Sequence, residues 1–279
     1  MLKILKSGLF TTVQDMGRYG FLDKGVPVAG CMDSFSAKKI NQLLENDSAA
    51  AVLEITMTGP TLLFEEATYI AIGGALLSAT LNNEPVANYE VIKVSGGDIL
   101  SFGKLEKGFR SYLAIKGGFK TPLVLGSRSL FSSVTKKNHL VDGEELPYGT
   151  CLDFKPKISK LKVDSFLDEQ VLTVSKGPEY DSLSDKQLEM LFYKAFSIAN
   201  ENNRMAYQLE EKIIGIKTSM ITSATLPGTV QLTPSGKLII LMKDGQTTGG
   251  YPRVLQLSDR AISVLAQKKY GDEVRFQLN

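Results

Sequence analysis

The sequence predicts a mainly β protein with a few helices, arranged as two β-rich lobes. Three observations predict it. Apolar residues fall in short runs rich in β-branched and aromatic side chains, turn-forming glycines separate those runs, and only three stretches repeat at helical spacing. Short strands with so few helices between them favour barrel or sandwich lobes over βαβ units. At 279 residues the chain is long enough to bury a sizeable core. The basic, core-poor segment Lys155-Pro156-Lys157-Ile158-Ser159-Lys160-Leu161-Lys162 reads as a solvated connector between an N-terminal lobe, 1–160, and a C-terminal lobe, 161–279.

In chain order, residues 62–64, 69–72, 89–94, 99–102 and 111–115 read as strands, with turns expected at Gly73-Gly74, Gly96-Gly97-Asp98 and Gly117-Gly118. The second lobe is expected to contain strands over 171–174, 228–232, 238–241 and 273–276. The first helix is capped by Asp33 or Ser34 and runs through Glu45, with Ala37, Ile40 and Leu44 on one face. Ser184 opens the second, because Gln187 three residues later completes a capping box and Leu188, Leu191, Phe192 and Ala195 then share a face. Ser258 starts the third, where Ala261, Ile262, Leu265 and Ala266 form an apolar stripe. All three stripes are read as core.

Composition excludes several chemistries. Lys and Arg number 32 against 30 Asp and Glu, a net charge of +2, so no global field draws nucleic acid. There is no Trp and one histidine, His139, placed in the polar run Lys136-Lys137-Asn138-His139 and read as a surface residue. Multi-histidine zinc sites and H-E-x-x-H proteases need more imidazoles than that. Cys31 and Cys151 stand apart in no C-x-x-C spacing and read as two small reduced thiols. No G-x-x-x-x-G-K-[ST], G-x-G-x-x-G or G-x-S-x-G occurs, and no apolar run approaches the roughly 18 residues of a membrane span. The expectation is a soluble, cytoplasmic protein. Its acid–base work, if any, falls to carboxylates, Lys or Tyr, with Arg and backbone amides stabilising charge.

Two regions are dense in polar groups. The first is Thr11-Thr12-Val13-Gln14-Asp15-Met16-Gly17-Arg18-Tyr19-Gly20, followed by Gly30-Cys31-Met32-Asp33. It reads either as a functional loop or as a structural turn with Asp15 and Arg18 paired. The second joins Asn202-Asn203-Arg204-Met205-Ala206-Tyr207, Leu226-Pro227-Gly228 and Lys243-Asp244-Gly245-Gln246-Thr247-Thr248-Gly249-Gly250-Tyr251-Pro252-Arg253. Here a strand runs into a loop holding a carboxylate, an amide, two hydroxyls, two glycines and an arginine. The alternative is a hairpin-like loop in which Asp244 binds its own backbone.

The blocks TTVQDMGRYG, GVPVAGCMD, LEITMTGP, RSYLAIKGGF, NRMAYQL, LPGTVQL and DGQTTGGYPR, in this order, resemble the biotin-dependent-carboxyltransferase-like family. Its members include the C subunit of 5-oxoprolinase, the KipA-like regulators and part of the carboxyltransferase region of urea amidolyase. The resemblance implies two cyclophilin-like β-barrel lobes. It also implies ATP-dependent opening of 5-oxo-L-proline to L-glutamate in a complex with a subunit-B-like (KipI-like) and a subunit-A-like protein. ATP and Mg²⁺ would act at the level of that complex, and biotin only in a urea amidolyase-like alternative. Two roles other than lactam opening remain open: a KipA-like regulator, and a carboxyltransferase half-site.

Carried onto this chain, the resemblance makes Arg204, Asp244 and Gln246 the catalytic group, with Asp244 as base or Mg²⁺ ligand. Asn203, Thr247, Thr248, Gly249, Gly250, Tyr251 and Arg253 would hold substrate or phosphate, and Gln14, Asp15 and Arg18 would line the cleft or a partner interface. Alanine at Arg204 or Asp244 is expected to abolish turnover and leave folding intact. The chain departs from the family pattern at Ala206, Gln208 and Glu211, at Cys31, at Ala224, and over 132–140.

Overall fold

A computed structural model describes residues 1–216 and 220–279 of the chain. They form two compact units, Met1–Arg18 with Ala29–Leu167, and Tyr19–Val28 with Asp168–Asn279. Among the described residues no helix is long and apolar enough to cross a membrane.

The first unit is a nine-stranded sheet with one helix. Its strands are β1 (Leu2–Lys6), β2 (Phe10–Gln14), β3 (Val52–Thr56), β4 (Thr61–Phe64), β5 (Thr68–Leu81), β6 (Glu84–Pro85), β7 (Ile92–Val94), β8 (Ile99–Ile115) and β9 (Glu145–Leu146). The path runs β2-β3-β8-β4-β1-β9, and β5 pairs with β6, β7 and β8. β8 organises it. One end lies between β3 and β5, with Leu113 opposite Leu53 and Ile72; the other lies between β4 and β5, with Leu100 opposite Leu62 and Leu81. Three register shifts bend the β5–β8 ladder, which lets two such long strands curl around a core. The result is a half-barrel, open where the second unit is closed.

Two expectations for this unit are corrected. Residues 99–102 and 111–115 belong to one continuous strand, because β5 offers an extended partner along the polar stretch between them. Gly73-Gly74 is mid-strand and no turn: Gly73 pairs with Tyr112, and a Cβ there would lie 2.6 Å from Ile40 Cγ2 and 2.7 Å from Tyr89 Cε1. Glycine is needed for close approach across the strand. Strands β1, β2 and β3 were missed. β3 is buried on both faces, so it carries no alternation to read.

Alternation of side chains splits the packing of this sheet into two clusters. Leu53, Ile55, Ile70, Ile72, Leu113 and Ile115 face one core, while Val52, Tyr69, Ala71, Tyr112 and Ala114 face α1 (Ser34–Leu43) through Ala37, Ile40 and Leu43. Asp33 caps α1 through the Ser36 N–H. The segment 155–162 docks along this unit: Val91 N–H donates to Ser159 O, Leu161 N–H to Tyr89 O, and Lys160 pairs with Glu90.

The second unit is a closed seven-stranded barrel, ordered β10-β17-β14-β15-β12-β11-β18, with a separate two-stranded ribbon β13-β16. The strands are β10 (Val171–Lys176), β11 (Phe196–Asn202), β12 (Ala206–Leu209), β13 (Ser223–Ala224), β14 (Thr229–Leu232), β15 (Leu238–Leu241), β16 (Thr248–Gly249), β17 (Arg253–Leu257) and β18 (Glu273–Leu278). Parallel pairing of β10 with β18 closes it. Leu172 and Val174 on β10, Tyr207 and Leu209 on β12, and Val274 and Phe276 on β18 are buried at alternate positions, as a small filled barrel requires. α3 (Asp259–Ala266) packs on β10 and β17, capped by Ser258.

α2 (Asp185–Tyr193) begins as expected. Ser184 Oγ accepts from Gln187 N–H, and the Gln187 carboxamide accepts from Ser184 N–H at 2.8 Å. Gln187 also donates from Nε2 to Ile214 O, which ties the helix start to the chain after β12. Ser184→Ala removes the cap and is expected to cost about 1 kcal/mol, read as a lowered midpoint in urea unfolding with an unchanged slope.

Candidate functional site

The second polar region gathers at one rim of the barrel because β12 begins where β15 ends: Ala206 lies opposite Leu241. Asp244 N–H donates to Arg204 O and Met242 N–H to Met205 O, so backbone bonds hold the 203–205 and 242–245 turns together before any side chain acts. Across this tie Arg204 Nε meets Asp244 Oδ2 at 2.8 Å and Nη2 meets Oδ1 at 2.9 Å, a parallel fork with side chains 7% and 13% exposed. Asp244 binds Arg204 and not its own backbone. Asn203 turns the chain, its Oδ1 accepting from the N–H groups of Met205 and Ala206.

Beyond Asp244 the loop is fastened to the ribbon. Thr225 N–H donates to Thr247 O, Thr225 Oγ1 donates to Gln246 O, and Thr248 and Gly249 pair with Ala224 and Ser223. The Gln246 side chain, Thr248 and Gly250 stay exposed, and Tyr251 is half-exposed. Arg253 is fully engaged: Nε and Nη2 reach Glu179 at 3.0 and 2.8 Å, and Nη1 donates to Ala224 O at 2.6 Å. Arg253 therefore ties β17, Glu179 and the ribbon together. Its hydrogen bonds hold the Glu179 carboxyl below the usual glutamate range, and Glu179 in turn raises the Arg253 guanidinium.

The first region lies in the other unit. Gln14, Asp15 and Arg18 are 0%, 7% and 1% exposed. Asp15 accepts from the Gly17 and Arg128 N–H groups and from the Ser127 and Ser129 hydroxyls, while Arg18 donates to Val124 O and Ser129 O. Each holds backbone over 124–129: of the two readings the structural one fits, with the turn closed by Gly17 N–H on Asp15 Oδ1 and not by an Asp15–Arg18 pair. Gln14 Nε2 donates to Thr12 Oγ1 and Leu130 O.

Beside them sits a cluster that sequence reasoning missed. Glu54, 1% exposed, accepts from Met32 N–H at 2.7 Å and from the Tyr112 hydroxyl at 2.8 Å, with Arg110 Nε 3.9 Å away. Tyr112 Oη accepts from Asp33 N–H in turn. Burial, with Glu54 and Asp33 adding to it, raises the Tyr112 phenol well above its ordinary value, so it stays a donor. The only signal in the sequence was the placement of a glutamate within the apolar run Leu53-Glu54-Ile55.

Among the described residues no three His, Cys, Asp or Glu side chains gather as a metal site. Both Asp244 oxygens accept from Arg204, so the carboxylate could ligate Mg²⁺ only by giving up that fork. Cys31 and Cys151 are not joined in a disulfide, and His139 packs on Phe10 with ring centroids 5.6 Å apart.

Residues 24–278 match the family described as carboxyltransferase domain, subdomain A and B. The 5-oxoprolinase C subunit of Escherichia coli K12 is 33% identical over 99% of this chain and 90% of its own length. The structure superposes on that of TTHA0988 with a TM-score of 0.90 and 25% identity, over 99% of this chain and 55% of the other. It superposes on K. lactis urea amidolyase with a TM-score of 0.89 and 29% identity, over 99% of this chain. The chain thus spans about half of the first of these solved chains and 18% of the second.

Two outcomes test the electrostatics. Asp244→Ala leaves Arg204 buried without its carboxylate and is expected to cost about 3–5 kcal/mol in urea unfolding, so alanine at this site is not neutral for folding. For Glu179, the folded carboxyl ionises at lower pH than the unfolded one. Its stabilisation is whole above the ordinary glutamate range and is lost as pH falls through the folded value. The stability gap between wild type and Glu179→Gln is therefore open at neutral pH and closes on acidification; a gap independent of pH refutes the pairing.

Proposed function

The chain belongs to the carboxyltransferase domain family, subdomain A and B, and on that premise we propose that it is the C subunit of a 5-oxoprolinase-type amidohydrolase. Together with subunit-B-like (KipI-like) and subunit-A-like partners it would open 5-oxo-L-proline to L-glutamate. The observation that carries this reading is the match to the Escherichia coli C subunit, which is nearly complete for both chains. An unstrained lactam is a poor electrophile, so hydrolysis needs activation. ATP, with Mg²⁺, would supply it in the complex by phosphorylating the lactam oxygen; after water adds to the ring carbon the C–N bond would break, the ring nitrogen leaving as the amine, and the resulting acyl phosphate would hydrolyse to L-glutamate and phosphate.

The chain's own contribution is positioning and charge. Arg204 offers a guanidinium already oriented by Asp244, so no conformational freedom is lost when an anionic group arrives. The Gln246 carboxamide and the Thr248 hydroxyl lie exposed on a loop pinned by Thr225 and Arg253, where they would hold the lactam amide. Asp244 tunes Arg204 and would accept a proton only if that fork opened.

A second reading is favoured by the superposition on urea amidolyase: a carboxyltransferase half-site serving a biotin-linked amide. The deciding measurement is ATP-dependent glutamate release from 5-oxo-L-proline by the purified chain with the partner proteins encoded beside it. Omitting this chain is expected to abolish release. Asp244→Asn and Arg204→Lys, the nearest in shape and compared under conditions where urea unfolding shows them folded, are expected to lower it at least about a hundredfold. Full release without the chain overturns the proposal; binding to the subunit-B-like protein with no lactam opening by the full set points instead to a KipA-like regulator.

A further inference from the structure

Gln231 is 1% exposed, and among the described residues its Nε2 is a buried donor without an acceptor. It occupies the third position of β14, opposite Ile239 on β15 and Arg253 on β17. Strand alternation puts it on the face away from Val230 and Leu232. There it meets the ribbon. A Cβ on Gly249 would lie 2.4 Å from Gln231 Nε2 and 2.8 Å from Gln246 Nε2, so two amide nitrogens converge on the bare Cα of Gly249.

A buried donor without an acceptor is an unfavourable arrangement that an apolar side chain at 231 would relieve. The arrangement becomes favourable when an sp² oxygen enters and accepts from both. A side chain at 249 would push both amide ends aside, so glycine there lets the two lie next to each other. The neighbouring geometry is fixed: Gly249 is paired to Ser223, and Arg253 is locked by Glu179 and Ala224.

We propose that Gln231 and Gln246, brought together beside Gly249, form a two-amide clamp that takes a carbonyl or carboxylate oxygen of the small-molecule substrate. Gln231 is the substrate-binding residue that neither motif spacing nor loop position singled out. The clamp rests on the proposed function only for the identity of that oxygen.

The test uses the purified full chain, ¹⁵N-labelled, with the Gln231 side-chain amide signal identified by its loss in Gln231→Met. The chain is titrated separately with 5-oxo-L-proline, urea and acetate at millimolar concentrations. The Gln231 and Gln246 amide signals are expected to shift together and saturably with at least one probe. Gln231→Met, close in shape, is expected to melt higher than wild type and to bind that probe at least about tenfold more weakly. Gln231→Glu, which replaces a donor by an acceptor, is expected to lose binding as well.

If none of the probes moves the Gln231 signal, the clamp is overturned. It is equally overturned if Gln231→Met melts lower than wild type, because that is the result of a reversed amide whose Oε1 accepts from Gln246. A response to urea or acetate but not to 5-oxo-L-proline keeps the clamp and counts against lactam opening. Lactam turnover with a silent Gln231 signal keeps the function and discards the clamp.

Discussion

A charge taken out of water must be compensated where it lies, and that constraint shapes each unit of this protein. Glu54 is buried among apolar strands, and everything around it exists to satisfy it: a backbone N–H from Met32, the Tyr112 hydroxyl, and the nearby Arg110 guanidinium. The Met32 bond draws the 31–33 segment against β3, and Tyr112 holds Asp33, which then caps α1. One carboxylate on a strand thereby sets where the unit's helix begins. In the second unit the same rule operates with the sign reversed, since Arg204 sits buried and brings its counter-ion from a turn forty residues away.

Compensation of this kind produces a site that is organised before any ligand arrives. The Arg204–Asp244 fork is backed by two backbone bonds between the same turns. The Arg253–Glu179 fork anchors the neighbouring ribbon through Ala224. Between them the loop presents amide and hydroxyl groups on a rigid base, so these hydrogen-bonding groups are oriented in advance. The one histidine of the chain packs against Phe10 and lies outside this loop.

The two polar regions resemble each other in composition but not in use. Asp15 and Arg18 are consumed in holding backbone over 124–129, and their burial takes them out of reach of solvent. Gln246 and Thr248 remain exposed on a fastened loop. Glycine frequency does not distinguish these outcomes. What distinguishes them is whether a partner segment closes over the polar groups, as 124–130 does over the first region.

Much was legible in the residues themselves. Helix starts at Asp33, Ser184 and Ser258 were readable because a cap is a local hydrogen bond between residues three apart. Alternating strands such as β10 and β18 were readable because one face is wet. The family blocks located the Arg204 and Asp244 turns, and membership follows from the match over residues 24–278. Strand β3, the continuity of β8, the mid-strand Gly73 and the Glu54 cluster were not readable, since each depends on what lies across the sheet. The sequence by itself determined the mainly β class, the caps and the inventory of polar groups. Only the tertiary structure decided which of those groups pair, that Arg204 takes Asp244 while Arg253 takes Glu179, and that Gln231 is left without an acceptor. Pairing is a property of distance in space, and residues forty or seventy positions apart come within bonding reach only once the strands between them have closed their ladders.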